Sequence, residues 1–278
     1  MEFNIFLLFG VCAIINTQFN YHIVNALLGS GVRNAFEEEF PFIVAFRRIN
    51  NVNPNPSRDH ICTGALITKQ HVLSAAQCHD RRLVNQTIVL HGSNSLLYCT
   101  TYRILWWITF NKWADLTGRN HLFSDNDISV TKLIYEVQGN VEPALLSSVP
   151  YDDLVHEEVD LAGWGVNFRR AVSLNMLTAK TRILSIRECE NHIQHLVDRI
   201  IGIHERHFCT FHDPFVLMLR GDFGGPVLHN HKIIGVNKNV LPDLGKDYNQ
   251  FKVNIHTSIN YYRVFLTAVT NEDFNFEN

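Results

Sequence analysis

Short runs of β-branched and aromatic residues, each closed by Asn, Gly, Asp, Pro or Ser, set the limits on how this chain folds. Nine stand out: Phe42–Arg48, Gly64–Ile67, Thr87–Leu90, Tyr102–Phe110, Ile128–Leu133, Val159–Gly163, Lys180–Ile186, Pro226–Leu228 and Lys232–Val236. Their length and composition suit half-buried strands, and their flanks suit turns. The stretch from Asn50 to Ser57 holds four asparagines and two prolines, so it reads as a loop. Helical periodicity is confined to Ile186–Val197 and to the end, Thr257–Val269. An all-β fold with a terminal helix follows.

At 278 residues the chain can bury a full core without metals or bridges. Charged residues make up 18% and the net charge is −3, which excludes a polybasic nucleic-acid surface. Residues Ile5 to Ile15 form an apolar run too short to span a bilayer, which needs about 20 residues. The run suits an export leader. We therefore expect a signal peptide over 1–25, cut between Asn16 and Asn25, and a secreted chain with no membrane anchor. Cys12 falls in the leader, leaving Cys62, Cys78, Cys99, Cys189 and Cys209, an odd number for an oxidising compartment. Asn85-Gln86-Thr87 is a glycosylation sequon.

Five ordered segments resemble the chymotrypsin- and trypsin-like serine proteases. Cys62-Thr63-Gly64-Ala65 leads into Ser74-Ala75-Ala76-Gln77-Cys78, similar to the block of the catalytic histidine. Asp125-Asn126-Asp127-Ile128 resembles the block of the orienting aspartate, and Gly221-Asp222-Phe223-Gly224-Gly225-Pro226 that of the nucleophile. Gly163-Trp164-Gly165 matches too, as do Arg187-Glu188-Cys189 and His207-Phe208-Cys209. The likeness runs from about Ala35 to Val269. It implies two six-stranded antiparallel β-barrels with a cleft between them and a short C-terminal helix. As one domain over 26–278, this places the first barrel at about 35–145, the second at about 146–256 and the helix at about 257–269.

The triad chemistry needs a hydroxyl, an imidazole and a carboxylate. Here Gln77, Asp127 and Phe223 fill those positions. An amide is no base near neutral pH, and a phenyl ring is no nucleophile. Active relatives are also cut after Lys or Arg before an Ile-Val-Gly-Gly-like terminus. This chain has Leu27-Leu28-Gly29-Ser30-Gly31 and no Lys or Arg before Arg33. By the same likeness Leu219 replaces a pocket cysteine and Leu217 lies at the pocket base. Asn237-Lys238-Asn239 replaces the substrate-pairing strand. The expectation is a protein that is not an enzyme and binds an extracellular protein partner, as a regulator of a proteolytic cascade or a venom or salivary component. Homologues of this kind occur in arthropod secretions. The competing expectations are an endopeptidase with relocated machinery, using Ser74, Cys99 or Lys238, and a storage protein.

The resemblance also implies Cys62–Cys78 and Cys189–Cys209 bridges. Cys99 is then unpaired within the chain and available to link a dimer. Asp222 is implied to pair with His60, two residues before Cys62, as in uncleaved precursors of the family. No cofactor is expected. Histidines 192, 195, 204, 207, 212, 229 and 231 lack metal-ligand spacing and read as surface residues, so no metal is expected.

Overall fold

A computed structural model describes residues 27–271, except 51, 53, 122, 124, 167–170, 199–200 and 244–248. Two short strands open it, β1 (Leu28–Gly29) and β2 (Arg33–Asn34). Then β3 (Ile43–Arg48), β4 (His60–Leu66), β5 (His71–Ser74), β6 (Thr87–His91), β7 (Thr100–Thr109) and β8 (Ser129–Leu133) close into a barrel in the order β3-β4-β5-β8-β7-β6. The second set is β9 (Glu158–Gly163), β10 (Leu177–Leu184), β11 (His207–Phe211), β12 (Val216–Leu217), β13 (Pro226–His229), β14 (Lys232–Leu241) and β15 (Val253–Ser258). Strands β9, β10, β11, β15, β14 and β13 close the second antiparallel ring, because β11 pairs back onto β10.

Closure removes strand edges and gives each barrel an inward face. In β10 the exposed Lys180 and Arg182 alternate with buried Ala179, Thr181 and Ile183. In β3 four successive residues, Ile43 to Phe46, are buried. Both faces of that strand are covered, so no alternation survives in its sequence. Trp164, fully buried with its indole N–H donating to the Asn94 carbonyl at 2.8 Å, packs in the larger core. Phe223 is half-buried and lies against the cores of both barrels.

Among the described residues four α-helices accompany the strands: α1 (Pro56–Asp59), α2 (Phe110–Leu116), α3 (Ile186–Gln194) and α4 (Arg263–Thr270). Helix α3 starts on a capping box in which Ser185 and Glu188 satisfy each other's backbone N–H. Hydrogen bonds from Ser185 hold the Glu188 carboxyl down at about 2. Cys189–Cys209 ties this helix to β11, and Cys62–Cys78 ties β4 to the turn after β5. With sequence separations of 16 and 20, each bridge contributes roughly 3 kcal/mol in the chain-entropy model. Cys99 is unpaired. The terminal helix starts six residues later than the periodicity predicted. Asn254, His256 and Thr257 are fully buried, and Val253 to Ser258 form a strand of the second barrel instead.

Candidate functional site

The cleft centre is assembled from one-turn segments hung on barrel strands. Gln77 stands on the short helical turn Ala76–His79 that follows β5. Asp127 lies just before β8, and Phe223 in the turn that enters β13. The Gln77 amide nitrogen donates to Asp127 Oδ2 at 2.6 Å and to the Lys238 carbonyl at 2.8 Å, while its backbone N–H donates to Asp127 Oδ1 at 2.9 Å. The side-chain amide thus bridges the two barrels, and Gln77 grips the carboxylate with two donors, this amide and its own backbone N–H. Asp127 is buried, and desolvation raises its carboxyl above the usual range although the Gln77 hydrogen bonds oppose that shift.

Phe223 is held by its backbone. Its carbonyl accepts from Thr63 N–H at 3.0 Å, and the following Gly224 N–H donates to the Asn237 carbonyl at 2.8 Å. Gly224 has φ +83, and a side chain there would collide with Ser74 Oγ and the Thr63 carbonyl. Only glycine fits this turn. Gly221, with φ +103, passes its carbonyl to Thr63 Oγ1 at 2.8 Å and to His60 Nε2 at 3.1 Å.

This geometry corrects the implied His60–Asp222 pair. His60 bonds the Gly221 carbonyl, and Asp222 turns the other way. Asp222 Oδ1 accepts from Gly165 N–H at 2.8 Å; its Oδ2 accepts from Leu219 N–H at 3.0 Å and Leu27 N–H at 3.3 Å. Burial lowers His60 to about 4, so it is neutral, and burial raises Asp222 to about 6. Both shifts run opposite to those of an ion pair. The physical reason is dehydration on both sides, with no charged partner among the described residues facing either group.

Lys238 lies beside the carboxylate. Its Nζ is 2.9 Å from His207 Nε2 and 3.2 Å from Asp125 Oδ2. Arg206 donates to Asp125 Oδ1 at 2.6 Å and lies over the Phe123 ring. Burial, then the charge of Lys238, pushes His207 down to about 3. This ionic cluster at the cleft edge escaped the sequence reading, because its members come from three separate segments. The signal available was the lysine in the otherwise polar stretch Asn237–Asn239.

The remaining candidates fall elsewhere. Ser74 is buried and donates to the Thr63 carbonyl at 3.0 Å. Cys99 is half-buried with its thiol directed at the Ser93 and Ser95 carbonyls, and burial raises its pKa. Leu217 is buried in the ladder between β12 and β1, opposite Leu28. Asn85 is exposed. The His192 ring packs on Phe211, and His207 is buried, so not every histidine singled out lies at the surface. Among the described residues no three His, Cys, Asp or Glu side chains are grouped to hold a metal ion.

The trypsin family model matches residues 30–264. The chain is 24% identical over 213 residues to alkaline trypsin A of Manduca sexta, covering 72% of this chain and 75% of that protein. It is 27% identical over 165 residues to granzyme M of Rattus norvegicus, a match that spans 58% of this chain and 59% of the relative. Its fold superposes on mouse neuropsin, described as a serine protease, with a TM-score of 0.67 at 18% identity, over 86% of this chain and 99% of that one. These findings overturn the expectation that the chain is not an enzyme. The matched family and the named relatives are proteases, and nothing in the matches marks a loss of activity. Gln77 and Phe223 establish which side chains occupy the cleft, and they do not by themselves demonstrate a class outside the proteases. On the match over residues 30–264, this chain belongs to the trypsin family.

Proposed function

We propose that this trypsin-family chain is secreted, carries a glycan on Asn85, and acts by holding another extracellular protein in the cleft between its barrels, regulating extracellular proteolysis. The observation that carries the reading is the Gln77 amide, which joins Asp127 of the first barrel to the Lys238 carbonyl of the second. A cleft closed at its centre by hydrogen bonds, with a phenyl ring lodged against both cores, offers a preorganised surface. Preorganisation lowers the ordering cost of binding. Among the described residues no helix is long and apolar enough to cross a membrane.

The test is capture from the native fluid by the mature protein and by Lys238→Ala, with circular dichroism showing that the variant is folded. The expected result is a partner retained in stoichiometric amount by the parent and at least tenfold less by the variant. Equal retention by both would remove the cleft from the reading.

A second reading, peptide hydrolysis, is favoured by the family match and the protease relatives. Of the three alternative nucleophiles, Lys238 alone adjoins Gln77 and Asp125. Peptide cleavage by the mature protein that is lost in Lys238→Ala would establish it.

A further inference from the structure

Three arginines from separate segments gather at the turn that follows Gln77. Arg82 folds back on that turn, its Nη1 donating to the Asp80 carbonyl at 3.0 Å and to the Gln77 carbonyl at 3.4 Å. Arg81 between them has φ +53, a region that disfavours a side chain because Cβ crowds the backbone. Such strain persists only where the surroundings impose it. Here Asp80 N–H donates to the Gln77 carbonyl at 3.3 Å and Arg82 N–H to the His79 carbonyl at 3.2 Å. Arg48 ends β3 opposite Thr87, whose hydroxyl donates to the carbonyl of Leu83, the neighbour of Arg82, at 3.3 Å. Arg220 comes from the second barrel, just before Gly221, with its carbonyl accepting from Val166 N–H at 2.7 Å.

The three feel one another as like charges. Burial lowers the Arg82 guanidinium from its ordinary value, the charges of Arg48 and Arg220 lower it further, and Asp80 opposes them. Among the described residues none of the three forms an ion pair. Asp80 is exposed and stands beside Arg81 at 3.9 Å. Lys238 and Arg206, by contrast, share the Asp125 carboxylate. On a chain of net charge −3, the turn after Gln77 is thus a local positive field that concentrates anions. A half-buried guanidinium hemmed in by like charges and bonded to backbone carbonyls gains a charge-assisted pair when a carboxylate arrives.

The chemistry of the patch selects the anion. All three cations are arginines, whose planar forks match carboxylates bidentately. The patch is also short. Arg58 and Arg81, the next basic residues along these segments, each lie beside a carboxylate, and Arg47, on the alternate face of β3, acts on Cys99 instead. A short run of acidic side chains fits three clustered arginines better than a long polyanion, which needs a continuous basic track.

We propose that Arg48, Arg82 and Arg220 form a carboxylate-binding site that receives an acidic peptide segment of the partner protein at the Gln77 end of the cleft. This rests on the reading of the cleft as a surface that holds another protein, and it names the chemistry of what is held.

The test titrates fluorescein-labelled hexaglutamate against the mature protein by fluorescence anisotropy, with hexaglutamine and a heparin hexasaccharide as the rival probes. The variants are Arg48→Gln/Arg82→Gln/Arg220→Gln and the pair Arg48→Gln/Arg220→Gln, which changes exposed side chains alone and keeps the test valid if the triple variant does not fold. A charge-matched control, Arg103→Gln/Lys112→Gln/Arg187→Gln, alters exposed residues on β7, α2 and α3. Saturable binding of hexaglutamate and none of hexaglutamine is expected. Its affinity should fall about tenfold or more in the triple variant, by a smaller factor in the pair, and not in the control. It should also weaken as salt rises from about 50 to 300 mM. Absence of hexaglutamate binding, or equal affinity in the pair and the control, overturns the site. Tighter binding of the heparin hexasaccharide, lost with the same arginines, overturns the peptide as its occupant. No native partner takes part, so these failures strike the arginine site alone. The reading of the cleft fails separately, on equal capture by the parent and Lys238→Ala.

Discussion

Replacing Asp222 by alanine is expected to destabilise the fold by about 3–6 kcal/mol, since it strands the N–H groups of Leu27, Gly165 and Leu219 in a site with no solvent access. The three donors come from the chain's beginning, from the loop after β9 and from the turn before β13, so one side chain pins three segments that the sequence keeps far apart. Nothing near can move in to replace it. A side chain at Gly165 would collide with the carboxylate, so the packing there is already tight. Thermal unfolding should fall by roughly 10 °C or more, using about 2–4 °C per kcal/mol for a domain of this size. A loss below 1 kcal/mol in urea unfolding would show that water or backbone movement satisfies the three donors.

Acid should unfold the protein well before pH 4. Among the described residues six histidines are almost wholly buried: His60, His71, His79, His91, His207 and His256, and burial lowers His91 like the others. Desolvation lowers His60 and His71 to about 4, and His79, His207 and His256 to about 3; nearby Lys132, Arg82 and Lys238 add to the lowering at His71, His79 and His207 respectively. In the unfolded chain each takes a proton near pH 6.5. Because the folded values lie below that, stability is fully present above about pH 6.5 and is lost as pH falls toward 4. A shift of about two units is worth roughly 3 kcal/mol when fully expressed, and several together exceed the usual 5–15 kcal/mol of a folded domain. Asp222 at about 6 works the other way, as do Asp127 and Asp160, which burial also raises, their contribution being present at acid pH and lost as pH rises, but they are three groups against six. The expected result is a cooperative loss of tertiary signal with a midpoint between pH 4 and 6. A fold intact at pH 3.5 would contradict the burial of these rings. His256→Phe should move the midpoint to lower pH only if the lost bonds to Thr210 Oγ1 and Asn237 Oδ1 are tolerated.

The strands were legible where apolar and β-branched residues cluster between turn residues, as in Ile43–Arg48 and Ser129–Leu133. Strand β5 went unseen because its four residues, His71 to Ser74, carry two polar side chains that the barrel interior nonetheless buries. Strand β15 was missed as a strand, and its last two residues, Thr257 and Ser258, were read as the start of the helix, for a related reason. Asn254, His256 and Thr257 look like surface positions, yet each finds a buried partner: the Met218 N–H, Thr210 Oγ1 and the Asp127 carbonyl. Long-range hydrogen bonds of that kind leave no periodic trace in the sequence. At the site, the positions of Gln77 and Phe223 could be read from the neighbouring cysteines and glycines, and that of Asp127 from the block Asp125-Asn126-Asp127-Ile128. The partners of His60 and Asp222 could not, because local spacing says nothing about which way a buried carboxylate faces. The approach of Leu27 to Asp222, 195 residues apart, became visible only once β1 was seen to lie against β12.

The binding role of the cleft is tested most directly by hydrogen–deuterium exchange on the mature protein, alone and with the partner it captures. The expected result is new protection at Gln77–Asp80, at 220–224 and at Lys238–Leu241, the segments that frame the Gln77–Asp127 contact. Protection confined to surfaces away from those three segments would contradict the account.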